Sequence, residues 1–292
     1  EAYDMARSVR DKRYLYIRNY KPHLSYNQPS AYSDLGEIRD DITNLARTGE
    51  LTPAQFHYAG SRRAVEELYD THNDPQTLRN LAGSRRHRDI LKRLRRAQAD
   101  WCAETIDLGY LPEMDAWRTG QGSTPFEAAR RPNTYPLQKI REVAELVGVA
   151  GATDKQVQHL RDSNSAVRYW AAVGLHASGD GSAALTRALE DPSPPVRIEA
   201  AGALLERGDN PQALEVLVHD LQADDLDMVL LAARALQLLG EKARPAVPQI
   251  RAAQKKAAGD SHPINLFIDF ATTMHLVELG EIKEAGVFPS FR

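Results

Sequence analysis

The residue types best suited to chemistry crowd between positions 18 and 28, where Arg18, Asn19, Tyr20, Lys21, His23, Tyr26, Asn27 and Gln28 follow closely on one another. Forked guanidinium donors suit an oxyanion such as sulfate, an imidazole can hydrogen-bond a hydroxyl, and phenol rings can stack on a sugar. Arg18, Asn19, Tyr20, His23, Tyr26 and Gln28 are therefore the candidate substrate-binding residues, with a purely polar connection as the alternative. None of them is an activated nucleophile, and no catalytic residue is expected in the chain. The nine histidines contain no H-E-x-x-H or other ligand spacing, so no metal site is expected. No G-x-S-x-G elbow is present. The single cysteine, Cys102 in DWCAETI, excludes an internal disulfide and reads as a small buried hydrophobe.

The elements that must position the 18–28 segment are legible on both sides of it. ARSVRDKRYLYIRNY (6–20) holds two β-rich runs around a charged turn, a hairpin pattern that delivers Arg18 and Asn19 at a strand end. A helix is expected from Ser33 to about Thr48, with Ile38, Ile42 and Leu45 inward and Gly49 as its stop. A short helical turn follows at Thr52-Pro53. Glu66–Asp70 reads as a brief strand, and Ser84 as the cap of a long amphipathic helix over 85–107 with Leu91, Leu94, Trp101 and Leu108 inward. Residues 1–112 thus form an α+β unit, a small antiparallel sheet with a long helix. Residues 113–133, with Gly120, Gly122 and Pro125 and no apolar periodicity, read as a linker.

Residues 134–292 are repetitive. PLQKIREVAELVG, VRYWAAVGLHASG, VRIEAAGALLERG, MVLLAARALQLLG and IDFATTMHLVELG each combine helical spacing of apolar residues with a closing glycine placed as a left-handed cap. A helix pair of this size cannot bury its own apolar face, so neighbours must stack into an all-α solenoid. The segments DSNSAVRYWAAVGL and DPSPPVRIEAAGAL resemble HEAT-type repeats. In such repeats Val167 and Val196 belong in the stacking core, and Arg168 and Arg197 tie adjacent turns together. Met228-Val229 replaces the Val-Arg pair in the next unit, and Thr272-Thr273 replaces the alanines in the last, as in a capping unit.

With 42% hydrophobic and 26% charged residues the composition is that of a folded protein, and no run approaches the ~20 apolar residues of a membrane helix. The net charge of −3 disfavours nucleic acid as a partner. The one dense basic patch, Arg85, Arg86, Arg88, Lys92, Arg93, Arg95 and Arg96, reads as a solvated helix face, with contact to a polyanion as the alternative. The sequence opens at Glu1 rather than Met, so further sequence upstream is expected.

RSVRDKRYLYIRNYKPH, then EELYDTHNDPQTLRNLA, then a helix ending in DLGYLPEMD together resemble the C-terminal subdomain of bacterial sulfatases of the alkaline-phosphatase superfamily. Glu67, Leu68, Tyr69, Asp70, Asp74, Pro75, Asn80, Leu81 and Ala82 carry the more specific part of the likeness, while Gln76 and Thr77 stand where an acidic residue is common. The resemblance covers about 1–115. It implies a sulfuric ester hydrolase acting on a sulfated glycan, periplasmic or extracellular. The formylglycine nucleophile and calcium would belong to an N-terminal catalytic domain of the same polypeptide. No C-x-P-S-R context occurs in this chain, so no cofactor is expected here. The chain would then be a C-terminal fragment that walls the substrate cleft and carries a HEAT-like module able to hold a protein partner. The alternative is a stand-alone HEAT-repeat scaffold without enzymatic activity.

Overall fold

Alternating side chains in ARSVR and YLYIRN build the hairpin of β1 (Ala6–Arg10) and β2 (Tyr14–Asn19) in the computed structural model, which describes residues 3–34 and 36–283. β3 (Glu66–Asp70) pairs antiparallel with the other edge of β2, giving a three-stranded sheet of order β1-β2-β3 with Ser8 opposite Ile17 and Tyr16 opposite Leu68. Between β2 and β3 the chain makes α1 (Ala31–Asp34), α2 (Glu37–Thr48) and α3 (Pro53–Ala59). α2 stops at Gly49, left-handed at φ 75°, and α3 opens with a capping box between Thr52 and Gln55. The inward face expected for α2 is not there: no residue of α2 is buried, and Ile38 is 76% exposed.

The sheet packs on α4 (Arg88–Thr105), which a 3-10 turn at Arg85–His87 precedes. Ser84 bonds the His87 ring instead of capping a backbone N–H. The buried stripe of α4 is Leu91, Leu94, Gln98 and Cys102, a 3-4-4 spacing, and this leaves Trp101 half exposed. Residues 113–133, expected as a linker, carry α5 (Glu113–Thr119) and α6 (Pro125–Ala129), with Met114, Ala128 and Ala129 buried. Short helices of this kind lack the length to show periodicity.

The solenoid follows as α7 (Leu137–Ala144), α8 (Thr153–His159), α9 (Ser165–Ser178), α10 (Ser182–Ala188), α11 (Pro194–Arg207), α12 (Pro211–Leu221), α13 (Leu226–Leu239), α14 (Val247–Ala258) and α15 (Pro263–Glu278). α7, α9, α11, α13 and α15 stack in chain order as one layer, with the intervening helices against them. Val167 and Val196 are fully buried. Arg168 donates a fork to Asp191 at 2.7 and 2.8 Å, and Arg197 repeats it to Asp220 at 2.8 and 2.9 Å. Where the fourth unit lacks the arginine, the Met228 sulfur accepts from Arg197 at 3.0 Å. Of the closing glycines, Gly148, Gly179 and Gly280 have φ of 71–76° and Gly179 forms a left-handed cap; Gly240 has a positive φ of 53° but ψ −127°, and Gly208 is extended at φ 164°. Positions 284–292 of the expected repeat region lie outside the described residues.

One hydrophobic core runs through both parts, joining Met5, Tyr20, Cys102, Tyr110 and Leu111 to Ile140, Val143, Trp170 and the helices beyond. No helix among the described residues is long and apolar enough to cross a membrane.

Candidate functional site

β2 ends by handing the chain to the solenoid. Arg18, buried beneath the sheet, sends its guanidinium to the carbonyls of Val147 (2.9 Å), Val65 (3.2 Å) and Glu145 (3.3 Å), with its Nε 3.3 Å from a Glu145 carboxylate oxygen. A cation on carbonyls just past the end of α7 also suits the negative end of that helix. Gly148 permits the approach: it is left-handed at φ 75°, and a Cβ there would stand 2.3 Å from Val65. Tyr20 is wholly buried, its hydroxyl 2.6 Å from that of Tyr110 and donating to Glu145 at 2.7 Å, its ring edge-on to Trp170. The Trp170 indole N–H closes the contact on the Tyr110 carbonyl at 2.7 Å.

Asn19 turns to the other side. Its amide donates to the Ala64 carbonyl at 2.8 Å and to Glu67 at 2.6 Å. Glu67, buried on β3, also accepts from the hydroxyls of Tyr26 and Tyr69, so three donors satisfy one inward carboxylate.

The next residues meet α9 and α11. Lys21 donates to Glu199 at 3.2 Å and lies over the rings of Tyr3 and Tyr169. His23 stacks on His176 with ring centroids 4.1 Å apart, its Nε2 3.4 Å from Glu199. His176 holds Glu199 through Nδ1 at 2.7 Å and Glu206 through Nε2 at 3.0 Å. Burial, helped by the charge on His176, pulls His23 down to about 4. Burial also pulls on His176, but its two carboxylate partners outweigh it and hold the imidazolium up at about 8. Glu199 is depressed well below the usual carboxylate range: burial opposes this, and Lys21 and the two histidines overcome it. At neutral pH the group therefore holds two cations, Lys21 and His176, against two anions, Glu199 and Glu206. It borders a cavity of about 90 Å³ that Leu24 and Ile198 also line.

Donor atoms of His23, His176 and Glu199 lie within 4.8 Å of one another, the spacing of a metal site. Two features set the group against an ion. The rings are stacked at 29°, so their in-plane lone pairs run side by side rather than converging, and Lys21 already neutralises Glu199. Two nitrogens and one carboxylate are also a poor match for calcium, which takes six or more oxygens. Cys102 offers no formylglycine context: it is buried in α4 among Gln98, Tyr110 and Asp107, and burial pushes its thiol up to about 11.

Further on, Gln28 accepts from Arg234 of α13 at 3.4 Å, and Ala31 of α1 packs on Phe270 and Met274 of α15. Residues 18–34 thus cross α7, α9, α11, α13 and α15 in chain order. Of the six candidate substrate-binding residues, Arg18, Asn19, Tyr20 and His23 are buried and turned inward, and Tyr26 and Gln28 are partly exposed. The structure divides the six among several networks rather than gathering them around one opening. Glu145, Trp170, His176 and Glu199 complete those networks and escaped the sequence reading. The available signal was His176 and Glu199 in the otherwise apolar runs WAAVGLHA and IEAAGALL.

Residues 153–238 match the HEAT repeats family. The chain is also 34% identical, over 112 residues, to the Ulvan-active sulfatase of Formosa agariphila, an alignment that covers 38% of this chain and 19% of that protein. The chain is similar in part to a sulfatase and carries HEAT repeats.

Proposed function

We propose that this chain is the C-terminal part of a sulfatase, a sulfuric ester hydrolase acting on a sulfated glycan in the periplasm or outside the cell. In this reading the HEAT-like array serves to hold the 18–34 segment in place. The observation that carries the reading is the path of that segment from the end of β2 across five stacked helices, in a chain with partial sulfatase likeness. A segment fixed so rigidly is suited to presenting its few outward groups to a substrate. Gln28 and the exposed part of the Tyr26 ring are those groups, and Arg18, Asn19, Tyr20 and His23 set their position. The same path argues against the stand-alone scaffold, because part of the layer α7 to α15 already carries a segment of its own chain.

Formylglycine and calcium would be held by an N-terminal catalytic domain, since the sequence has no C-x-P-S-R segment and no group of side chains among the described residues suits calcium. That domain would also cover the exposed apolar side chains of the α1 to α3 region, among them Tyr32 at 75%, Ile38 at 76% and Phe56 at 52% exposure. The test is the complete polypeptide encoded by the gene. Mass spectrometry should find formylglycine in a C-x-P-S-R segment, and sulfate release from a sulfated algal polysaccharide should depend on it. In that protein Gln28→Ala should lower kcat/KM on the polysaccharide several-fold and leave a small aryl sulfate unchanged. An upstream sequence without such a segment, or no sulfate release from any sulfated substrate, overturns the proposal.

A further inference from the structure

α4 carries a run of cations that the fold leaves largely uncompensated. Arg88, Lys92 and Arg96 recur every fourth residue, so they share one face about 6 Å apart, and Arg85 and Arg86 stand at its start. Among the described residues no ion pair joins Arg85, Arg86, Arg88 or Lys92 to a carboxylate, and Arg96 has only exposed Asp100 at 3.7 Å. The neighbours differ: Arg93 is taken by Asp11, and Arg95 by Glu66.

This stripe leads into a groove of about 570 Å³ between α4, the sheet and the first repeat. Arg96 stands on one wall. Arg141, from α7, reaches across to the Ala99 carbonyl at 2.8 Å and to the Gln138 side-chain oxygen at 3.2 Å, so its charge is met only by neutral oxygens. Arg18 and Arg95 also line the groove, but Glu145 and Glu66 satisfy them. Tyr16, Val65 and Ala99 give it an apolar lining. A groove with apolar groups in part of its lining and, on each wall, a guanidinium that no buried carboxylate holds, continued by a single row of cations, suits one anionic chain. The overall charge of −3 makes this a local feature.

We propose that the α4–α7 groove and the Arg88–Lys92–Arg96 stripe bind a sulfated polysaccharide chain. Guanidinium forks recognise sulfate oxygens as they do phosphate, and release of counterions supplies salt-sensitive affinity. The choice of a sulfated polymer rests on the sulfatase reading. The test is of binding alone, so its failure and a failure of turnover in the complete polypeptide are separate results.

The purified 292-residue chain is titrated calorimetrically with dextran sulfate, dextran, polygalacturonate and duplex DNA, at two salt concentrations. Dextran sulfate should bind at least about tenfold more tightly than the other three and weaken with salt. The exposed triple variant Arg88→Glu, Lys92→Glu, Arg96→Glu should lose at least about tenfold of that affinity and flatten the salt dependence. A control with equal net charge, Lys155→Glu, Arg187→Glu, Lys255→Glu, should stay within about twofold of the unmodified chain. No binding of dextran sulfate, equal losses in the two triple variants, or equal affinity for polygalacturonate or DNA each overturns the proposal.

Discussion

His23 and His176 share one stack yet titrate in opposite directions. His23, held down at about 4, is neutral when folded but protonated when unfolded below its ordinary 6.5. The unfolded chain then binds the extra proton, so stability rises with pH between about 4 and 6.5. His176, held up at about 8, reverses this: its contribution is complete below 6.5 and is lost as pH rises through 8. The midpoint of urea unfolding should therefore peak near pH 6.5. His176→Gln should remove the alkaline fall and His23→Gln should soften the acid one; a midpoint that responds to neither substitution would contradict the assigned environments. Cys102 makes a second prediction at this scale. A buried thiol pushed up to about 11 should react with a maleimide at pH 7 only after denaturant is added, and rapid labelling of the native protein would refute it. The thiol's burial was legible in the sequence, because a lone cysteine inside an amphipathic run packs as a small hydrophobe. The ion-paired stack was not, because its partners come from positions 21, 23, 176, 199 and 206 and only the tertiary fold brings them together.

Within the solenoid the repeated arginine carries more than its local helix. Arg197 forks onto Asp220, whose carboxylate is fully buried, and also reaches the Asp191 and Pro192 carbonyls at 3.3 and 3.2 Å, so one side chain joins the loop before α11 to the end of α12. Removing it leaves a buried carboxylate without its cation. Arg197→Ala should destabilise by about 3–5 kcal/mol. Leu204→Ala, in the core of the same unit, should cost about 2–5 kcal/mol through lost burial and the cavity left behind. Exposed Arg187→Ala serves as the reference and should stay within about 0.5 kcal/mol in the same chemical denaturation series. These positions could be read from D-x-S-x-x-V-R because a repeat makes its contacts with near neighbours in sequence. α2 shows the converse. Its apolar residues were expected to face inward from period alone, yet period says only that a helix has an apolar side, and the described residues cover that side only in part, leaving Ile38 outermost. For α4 the register drifted after Leu94, since Gln98 rather than an apolar residue takes the next inward position.

Across the whole molecule the sheet unit and the repeats share one core and should not unfold separately. Met5, Tyr20 and Tyr110 sit in the same cluster as Trp170, so calorimetry should show a single transition, and two resolved transitions would mean the two parts are only loosely docked. That union was invisible in the sequence, where residues 113–133 read as a linker between independent bodies, because short helices and pairings 100 or more residues apart leave no local pattern. The path of residues 18–34 has a mechanical meaning as well. An array of stacked helix pairs is a spring: small rotations at each interface add up to bending and twisting of the whole. A peptide segment anchored at successive turns of that spring works as a bowstring. Its backbone has a fixed contour length, so with Arg18 fastened at the first turn and Ala31 at the last, the two turns cannot move apart beyond that length while both anchors hold. The helix array holds the string, and the string in turn limits how far the array can straighten.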